Sequence, residues 1–376
     1  MKNVLFVAPT TYQLPLTENL KKKFRTLSQV CNVSVLAFAN SNSSISETYG
    51  NFYFNKKISN RLLNYFKIIQ ISIFTTYKIV KKENIDIVCF QDPVSSFFSI
   101  LFLKVRGVDV KIIVETHGDF IETLGLEKNL LFPTLYKKLF YEMAKYSINK
   151  SNIIRAVSSS TEQQVLNIDS SKNVVRFPAW IDFKDFQDIE PNSTFEDKFN
   201  ILFIGSVTDR KKPHMIIKVI QRLNDENYHL SIVGPAPNDK YLLELKNEID
   251  KFDLENQVSI VGAVDRKSVK EYYSTSDLMI LPSISEGLAR VIFESQVASC
   301  PVLVTDAPGM SDIVIDGQTG YVFESNNLDS LQSKIEYIKN NHEEVTLVAK
   351  NAKDFILSNY SEDNFKFSFK KLFDAV

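Results

Sequence analysis

The stretch LMILPSISEGLARVIFESQVASCPVLVTDAPG, residues 278–309, decides the fold of this chain. LMILPS (278–283) is a short apolar run closed by Pro282, the pattern of a strand buried on both faces. A loop with Glu286 and Gly287 follows, and a helix is expected from about Leu288, where Leu288, Val291, Ile292 and Val297 suit a short buried helix. CPVLVTD (300–306) is a second buried strand. Strand, loop, helix and strand make a βαβ unit, and such units build parallel sheets.

The same alternation runs outward in both directions. Strands are expected at 3–9, 33–39, 85–91, 111–117, 153–159 and 173–178, then at 199–205, 228–234, 258–264, 278–283, 300–306 and 320–324. Between them lie segments with helical spacing, such as TENLKKKFRTLSQ and PHMIIKVIQRLNDE. Two sets of about six strands imply two Rossmann-like domains, so the fold class is α/β. The polar, aperiodic DIEPNSTFED (188–197) is the expected linker between a first domain at 1–187 and a second at 198–357. Such sheets, facing each other across a cleft, would bind ligand at the carboxyl ends of their strands. A tandem of unrelated α/β domains is the competing arrangement.

Composition narrows the classes of function. The net charge of −1 excludes a strongly basic nucleic-acid binder, but it conceals a split. Residues 1–190 hold 24 Lys+Arg against 17 Asp+Glu (+7), and residues 191–376 hold 20 against 28 (−8). Cys31, Cys89 and Cys300 fit neither a disulfide framework nor a zinc cluster, and the four histidines show no paired-ligand spacing. MKNVLFVAP is too short for a signal-peptide core, and residues 61–80 carry Arg61, Lys67 and Lys78, against a membrane span. A cytoplasmic protein is expected. No GxGxxG, GxxxxGK[ST] or GxSxG occurs, which sets aside dinucleotide, P-loop and hydrolase chemistry.

Three places carry possible chemistry. The helix after Gly287 presents unpartnered N–H groups suited to a phosphate. Glu286 and, eight positions on, Glu294 could accept hydrogen bonds from sugar or ribose diols, though taken alone they read more readily as solvated surface glutamates. In FIGSVTDRKKP (203–213), Arg210, Lys211 and Lys212 follow a strand end at Gly205, where they suit a diphosphate or simply a solvated turn. In VETHGDF, His117 and Gly118 follow a strand, and His117 could bond a sugar hydroxyl or serve the core.

Together these segments resemble the retaining glycosyltransferases of the GT-B fold, family four (glycosyltransferase group 1). PSISEGLARVIFES…PVLVTDAPGMSDIVIDGQTGYVF is similar to the family's EGfxxxxxE…PVIatdvgGxxEiv.dgxtG pattern, and FIGSVTDRKKPHMIIKVI to its strand–turn–helix at the nucleotide-sugar domain. IVETHGDF, AVSSSTEQQVL and FPAWIDFKDF resemble three further segments in the right order. The resemblance implies that Glu294 holds the ribose hydroxyls and that Glu286 lies near the donor sugar. It implies that Gly287, Leu288, Ala289, Arg290 and Val291 cradle sugar and diphosphate, beside Gly205, Ser206 and Gly262. Lys211, with Arg210, matches the diphosphate cation, and a shift of one position would put Lys212 there. His117 matches the histidine near the sugar O6; Thr10, Thr11 and Asp119 would lie on the acceptor side. Departures are Ser206 for a frequent arginine, Ala289, Ser299, and Ala179-Trp180 in place of Asn-Gly.

The implied reaction moves a sugar from a nucleotide-diphosphate donor, UDP-sugar favoured over GDP-sugar, to a hydroxyl of a glycan or polyprenyl-linked acceptor with retention. Cell-surface polysaccharide or glycoconjugate synthesis is the implied setting. No metal or other cofactor is expected, since Lys211 and Arg210 would neutralise the leaving group. Lys, Arg and aromatic residues interleave in LKKKFR (20–25), in 55–82 and in 132–150, as in helices on an anionic membrane surface, or as in helices covering the first sheet. A peripheral place on the inner face of the cell membrane is therefore an expectation. A sugar-nucleotide epimerase of the same fold and a non-catalytic nucleotide-sugar-binding subunit are the alternatives. SNYSEDNFKFSFKKLFDAV (358–376) reads as an amphipathic helix, which in this fold crosses back to the first domain.

Overall fold

The computed structural model describes residues 1–57, 73–118, 120, 133–191, 198–310 and 312–376. The chain divides into two units: Met1–Trp180 with Glu362–Val376, and Ile181–Ser361. No described helix is long and apolar enough to cross a membrane.

The first unit is built on an eight-stranded sheet. Its strands are β1 (Asn3–Thr11), β2 (Asn32–Ala39), β3 (Ser43–Glu47), β4 (Gly50–Lys56), β5 (Ile87–Phe90), β6 (Lys111–Thr116), β7 (Ile153–Ala156) and β8 (Val174–Arg176). They lie in the order β3-β4-β2-β1-β5-β6-β7-β8, parallel except for β3 against β4. The β3–β4 hairpin is absent from the sequence expectation. Its first strand, SSISE, is polar and largely exposed, so no buried apolar run marks it. Only Phe52 and Phe54 of β4 turn inward, on alternate positions. The basic-aromatic segment at 55–82 is corrected accordingly: Asn55 and Lys56 end β4, residues 58–72 lie outside the described residues, and 73–82 are helical.

The helices of this unit are α1 (Glu18–Leu27), α2 (Phe97–Val105), α3 (Pro133–Lys150) and α4 (Ser159–Ile168). The C-terminal helix, Glu362–Asp374, also belongs to it. Phe365, Phe369, Leu372 and Phe373 are buried. Phe369 meets Phe6 and Phe177 edge-on, with ring centres 6.1 and 5.0 Å apart, and Phe365 meets Trp180 at 5.0 Å. Burial at about 1.5–3 kcal/mol per large apolar side chain makes this helix a structural part of the sheet's covering layer.

The second unit carries β9 (Phe199–Ile204), β10 (Tyr228–Val233), β11 (Val258–Gly262), β12 (Leu278–Leu281), β13 (Val302–Thr305) and β14 (Tyr321–Phe323). They form one parallel sheet in the order β11-β10-β9-β12-β13-β14. This is the 3-2-1-4-5-6 order of a doubly wound sheet, and strand order reverses between β9 and β12. Its helices are α5 (His214–Leu223), α6 (Asp239–Lys251), α7 (Arg266–Thr275), α8 (Arg290–Val297), α9 (Leu328–Asn340) and α10 (His342–Asn359); the C-terminal helix is α11. Helix α5 shows how sequence fixes these elements. Met215, Ile216, Ile217, Val219 and Ile220 are buried, and Asn224 at φ 47° ends the helix in the left-handed conformation.

The unit boundary falls before the expected linker. Phe183, Phe186 and Ile189 are already buried in the second unit's core. Phe183 stacks on Phe293 at 6.1 Å and Phe186 meets Tyr273 edge-on at 5.7 Å. Apolar residues spaced among the aspartates dock this segment, so the polar break at 188–197 follows the boundary. Residues 192–197 lie outside the described residues.

Candidate active site

At the strand-order reversal of the second sheet, β9 ends on Gly205 and β12 leads into Ser283–Glu286. Gly205 sits at φ +140°, and a Cβ built there would lie 2.7 Å from Lys211 Nζ. The glycine is required by that φ rather than by the lysine, whose flexible end could move aside. A one-turn 3-10 helix, Asp209–Lys211, gives the reversal, and Lys212 closes it at φ 48°.

Arg210 and Lys211 converge on one carboxylate. Glu286 Oε1 lies 3.3 Å from Arg210 Nη1 and 3.5 Å from Lys211 Nζ. The buried hydroxyl of Ser283 donates to the same oxygen at 2.9 Å, and Thr305 Oγ1 donates to the Ser283 carbonyl at 2.6 Å. Arg210 also donates to the Ser285 carbonyl. Glu286 is 10% exposed and Lys211 12%, so these two are largely out of solvent, while Arg210 is 38% exposed. Two cations share one anion, and the excess positive charge suits a further anion. The loop is locked from the other side by Gly309 at φ +90°, where a Cβ would fall 2.0 Å from the Glu286 carbonyl oxygen. Glu286 N–H donates to the Pro308 carbonyl at 3.2 Å.

Helix α8 begins at Arg290, two residues later than expected, because Ala289 (φ −80°, ψ 82°) is not yet helical. Its N-cap supplies no side-chain hydrogen bond. Gly287 and Leu288 are half-buried, Ala289 is buried, Arg290 is exposed and Val291 half-buried. With this start Glu294 stands one turn into the helix. Its Oε2 accepts from Tyr273 Oη at 3.4 Å, and its Oε1 is 4.0 Å from Arg266 Nη1. Burial raises its pKa, while Arg266, Tyr273 and Arg290 pull the other way. The two glutamates thus occupy separate charge clusters.

Lys212 is not part of the Glu286 cluster: its amine donates to Asn326 Oδ1. The sequence left Lys211 and Lys212 interchangeable, and the geometry separates them. Ser206 is exposed beside Gly205. Gly262 ends β11 at φ +82°, and its carbonyl accepts from Gly234 N–H at 2.7 Å.

In the first unit Thr10 and Thr11 are exposed at the carboxyl end of β1. Asp119 lies outside the described residues. His117 follows β6, and its Nε2 lies 2.8 Å from Glu115 Oε2. Glu115 in turn is 3.1 Å from Arg155 Nη1, with the two side chains 1% and 3% exposed. Burial opposes ionisation of Glu115, yet Arg155 and then His117 overcome it and hold its pKa down at about 2. Ser283, Thr305, Gly309, Arg266, Tyr273, Glu115 and Arg155 were absent from the expected site. Ser283, Thr305, Gly309 and Glu115 stood inside quoted motifs without being singled out, and Arg266, Tyr273 and Arg155 carry no local signal.

The family described as glycosyl transferases group 1 matches residues 185–355, within the second unit. An uncharacterized glycosyltransferase of Methanocaldococcus jannaschii is 31% identical over 157 residues, 41% of this chain and 42% of that protein. The capsular polysaccharide biosynthesis glycosyltransferase CapM of Staphylococcus aureus is 25% identical over 218 residues, 54% of this chain and 56% of its own length. The chain thus spans about half the length of the curated relatives it matches. Anabaena HepE in complex with UDP superposes with a TM-score of 0.73 at 14% identity, over 100% of both chains. That likeness shows the GT-B fold expected from the sequence.

Proposed function

We propose that this chain, whose residues 185–355 belong to glycosyl transferases group 1, is a retaining glycosyltransferase that moves a sugar from UDP to a hydroxyl of a glycan or lipid-linked glycan. The observation that carries the reading is the Arg210–Lys211–Glu286 cluster beside an uncapped helix N-terminus at the strand-order reversal. A diphosphate leaving group gains negative charge as the glycosidic bond breaks. Preorganised cations and backbone N–H groups favour that charge more than the ground state, which is what lowers a barrier. In this reading Lys211 and Arg210 take the diphosphate, the Gly287–Val291 backbone holds sugar and phosphate, and Glu286 trades its cations for sugar hydroxyls. Glu294 takes the ribose, and Gly262 borders the base. His117 bonds the sugar, while Thr10, Thr11 and Asp119 serve the acceptor.

UDP as the carrier is supported by the likeness to HepE, a protein solved with UDP, and a polysaccharide acceptor by the similarity to CapM. The test is transfer from a panel of UDP- and GDP-sugars to glycan acceptors, with the product anomer read by NMR. Transfer from a UDP-sugar with the α or β configuration kept is expected, and it should persist in EDTA because Lys211 and Arg210 supply the neutralising charge. Inversion at the anomeric carbon would overturn retention; loss in EDTA with recovery in Mg²⁺ would overturn metal independence.

The acceptor side is proposed to meet an anionic membrane surface. Helix α3 supports it by exposing Leu135 (65%) and Leu139 (52%) alongside Tyr136 and Lys138. Basic and apolar side chains on one exposed face suit a lipid interface, and each cation near an anionic surface adds about 1 kcal/mol. Co-sedimentation with phosphatidylglycerol vesicles at 20–50 mM salt, about the low-salt regime where the Debye length exceeds 10 Å, is expected and should fall away at 0.5 M. Absence of binding at low salt would reject the docking.

A further inference from the structure

We propose that Arg266 and Tyr273 are positioning residues that hold the Glu294 carboxylate ready for the ribose diol of the nucleotide. The inference rests on the proposed function, in which Glu294 receives the ribose, and names what sets that carboxylate in place.

Helix α7 brings both residues to Glu294 from outside its own helix. Tyr273 is buried, and its hydroxyl lies 3.4 Å from Glu294 Oε2 and 3.2 Å from the Val291 carbonyl. Burial first and Glu294 second push its phenol well above the ordinary range, so it remains a hydrogen-bond donor. Arg266 Nη1 stands 4.0 Å from Glu294 Oε1. Two residues apart in the folded structure would not by themselves fix a carboxylate, but Arg266 is itself anchored. Its Nε donates to Asp185 Oδ2 at 2.5 Å, its Nη2 to the Asp182 carbonyl at 3.4 Å, and its guanidinium lies 4.7 Å over the Phe186 ring. A planar guanidinium held on three sides presents its remaining N–H in a fixed direction. Glu294 is 17% exposed, so it pays for partial desolvation and gains from a nearby cation. The charged and titratable groups facing it are Arg266 and Tyr273 from α7 and Arg290 from its own helix.

The arrangement leaves the carboxylate with one oxygen bonded to Tyr273 and the other near, but not captured by, Arg266. An oxygen 4.0 Å from its cation retains lone pairs for incoming hydroxyls, and a preoriented carboxylate accepts from a diol at a lower cost in side-chain entropy than a free one.

The experiment measures binding of UDP, ADP and GDP, each beside its 2′,3′-dideoxy counterpart, to wild type, Arg266→Gln, Arg266→Lys and Tyr273→Phe. The wild type should prefer the ribonucleotide. In Arg266→Gln that preference should shrink about tenfold, the scale of one hydrogen bond to a charged group. Binding of the dideoxy form should change little, and Arg266→Lys should restore part of the preference. The ribose-dependent part of binding should also disappear at a higher pH in Arg266→Gln as pH is lowered. Glu294 must be ionised to accept the diol, and losing the cation leaves burial to raise its pKa further. A wild-type preference unchanged in Arg266→Gln and Tyr273→Phe would overturn the positioning role. A wild type with no ribose preference for any nucleotide would overturn the assignment of Glu294 itself, and the inference with it.

Discussion

Lys211→Ala lowers kcat by about 10² or more, the loss that follows removal of one preorganised donor to a developing oxyanion. The expected mechanism is specific. Lys211 is 12% exposed, packed over Gly205 and 3.5 Å from Glu286, so its charge acts through a poorly solvated medium. The diphosphate carries more negative charge in the transition state than in the bound donor, so the loss should fall more on kcat than on KM. Lys212→Ala provides the contrast. Its side chain is committed to Asn326, and the variant should keep kcat within about threefold, the range of an ordinary surface substitution. Measured with the preferred UDP-sugar at saturation, near-wild-type turnover in Lys211→Ala sinks the diphosphate assignment. A larger loss in Lys212→Ala than in Lys211→Ala would move the role by one position. Arg210→Ala is a weaker probe, because Arg210 also holds the Ser285 carbonyl and its removal frees the loop.

The parallel sheets were legible because buried strands announce themselves as short apolar runs. Ile201, Leu202 and Phe203 of β9 and Met279, Ile280 and Leu281 of β12 are fully or nearly fully buried, and each stands in such a run. The β3–β4 hairpin was illegible for the same reason, since SSISE has one exposed edge and almost nothing to bury. The site divides along similar lines. Gly205, Arg210, Lys211, Glu286 and Glu294 could be singled out as candidates because each sits near a strand end or helix start, where position along the chain implies position in the sheet. Their supporting residues were not found. Arg266 and Tyr273 come from a helix whose sequence, RKSVKEYYST, reads as any solvated helix with one buried face. Their meeting with Glu294 depends on how α7 packs beside α8, and no local spacing records that. The boundary between units was misplaced because polarity at 188–197 outweighed two phenylalanines just ahead of it, Phe183 and Phe186, which are buried.

The largest effect expected on stability lies in the first unit, at Arg155→Met. Arg155 and Glu115 form an ion pair at 3.1 Å with both side chains almost wholly buried. The guanidinium also donates to the Pro178 carbonyl at 2.6 Å and lies against two mutually touching rings, 4.2 Å from the centre of Phe177 and 4.9 Å from that of Phe369. Methionine keeps much of the apolar contact with those rings and removes the charge. Glu115 is then left buried with only His117 beside it, and breaking such a pair from one side costs about 3–5 kcal/mol. In the wild type, Glu115 has a folded pKa of about 2, depressed below its ordinary 4.5, so its stabilising contribution is present above pH 4.5 and is lost as pH falls toward 2. In the variant the largest influence that lowers the Glu115 pKa is gone, so burial moves it back up from its depressed value and that contribution to stability shrinks. The stability gap between the two proteins should therefore be widest near pH 7 and narrow between about pH 4.5 and pH 2. Adding Glu115→Gln to Arg155→Met removes the stranded charge and should recover most of the loss, since replacing both members of a buried pair is often near neutral. Urea unfolding midpoints at several pH values measure all three. If Arg155→Met at pH 7 stands within about 1 kcal/mol of wild type, the ion pair is not what holds this part of the unit. Should the gap instead stay constant with pH while the double variant fails to recover, the loss comes from the contacts of Arg155 with Phe177 and Phe369, and the anchoring of the C-terminal helix becomes the cause.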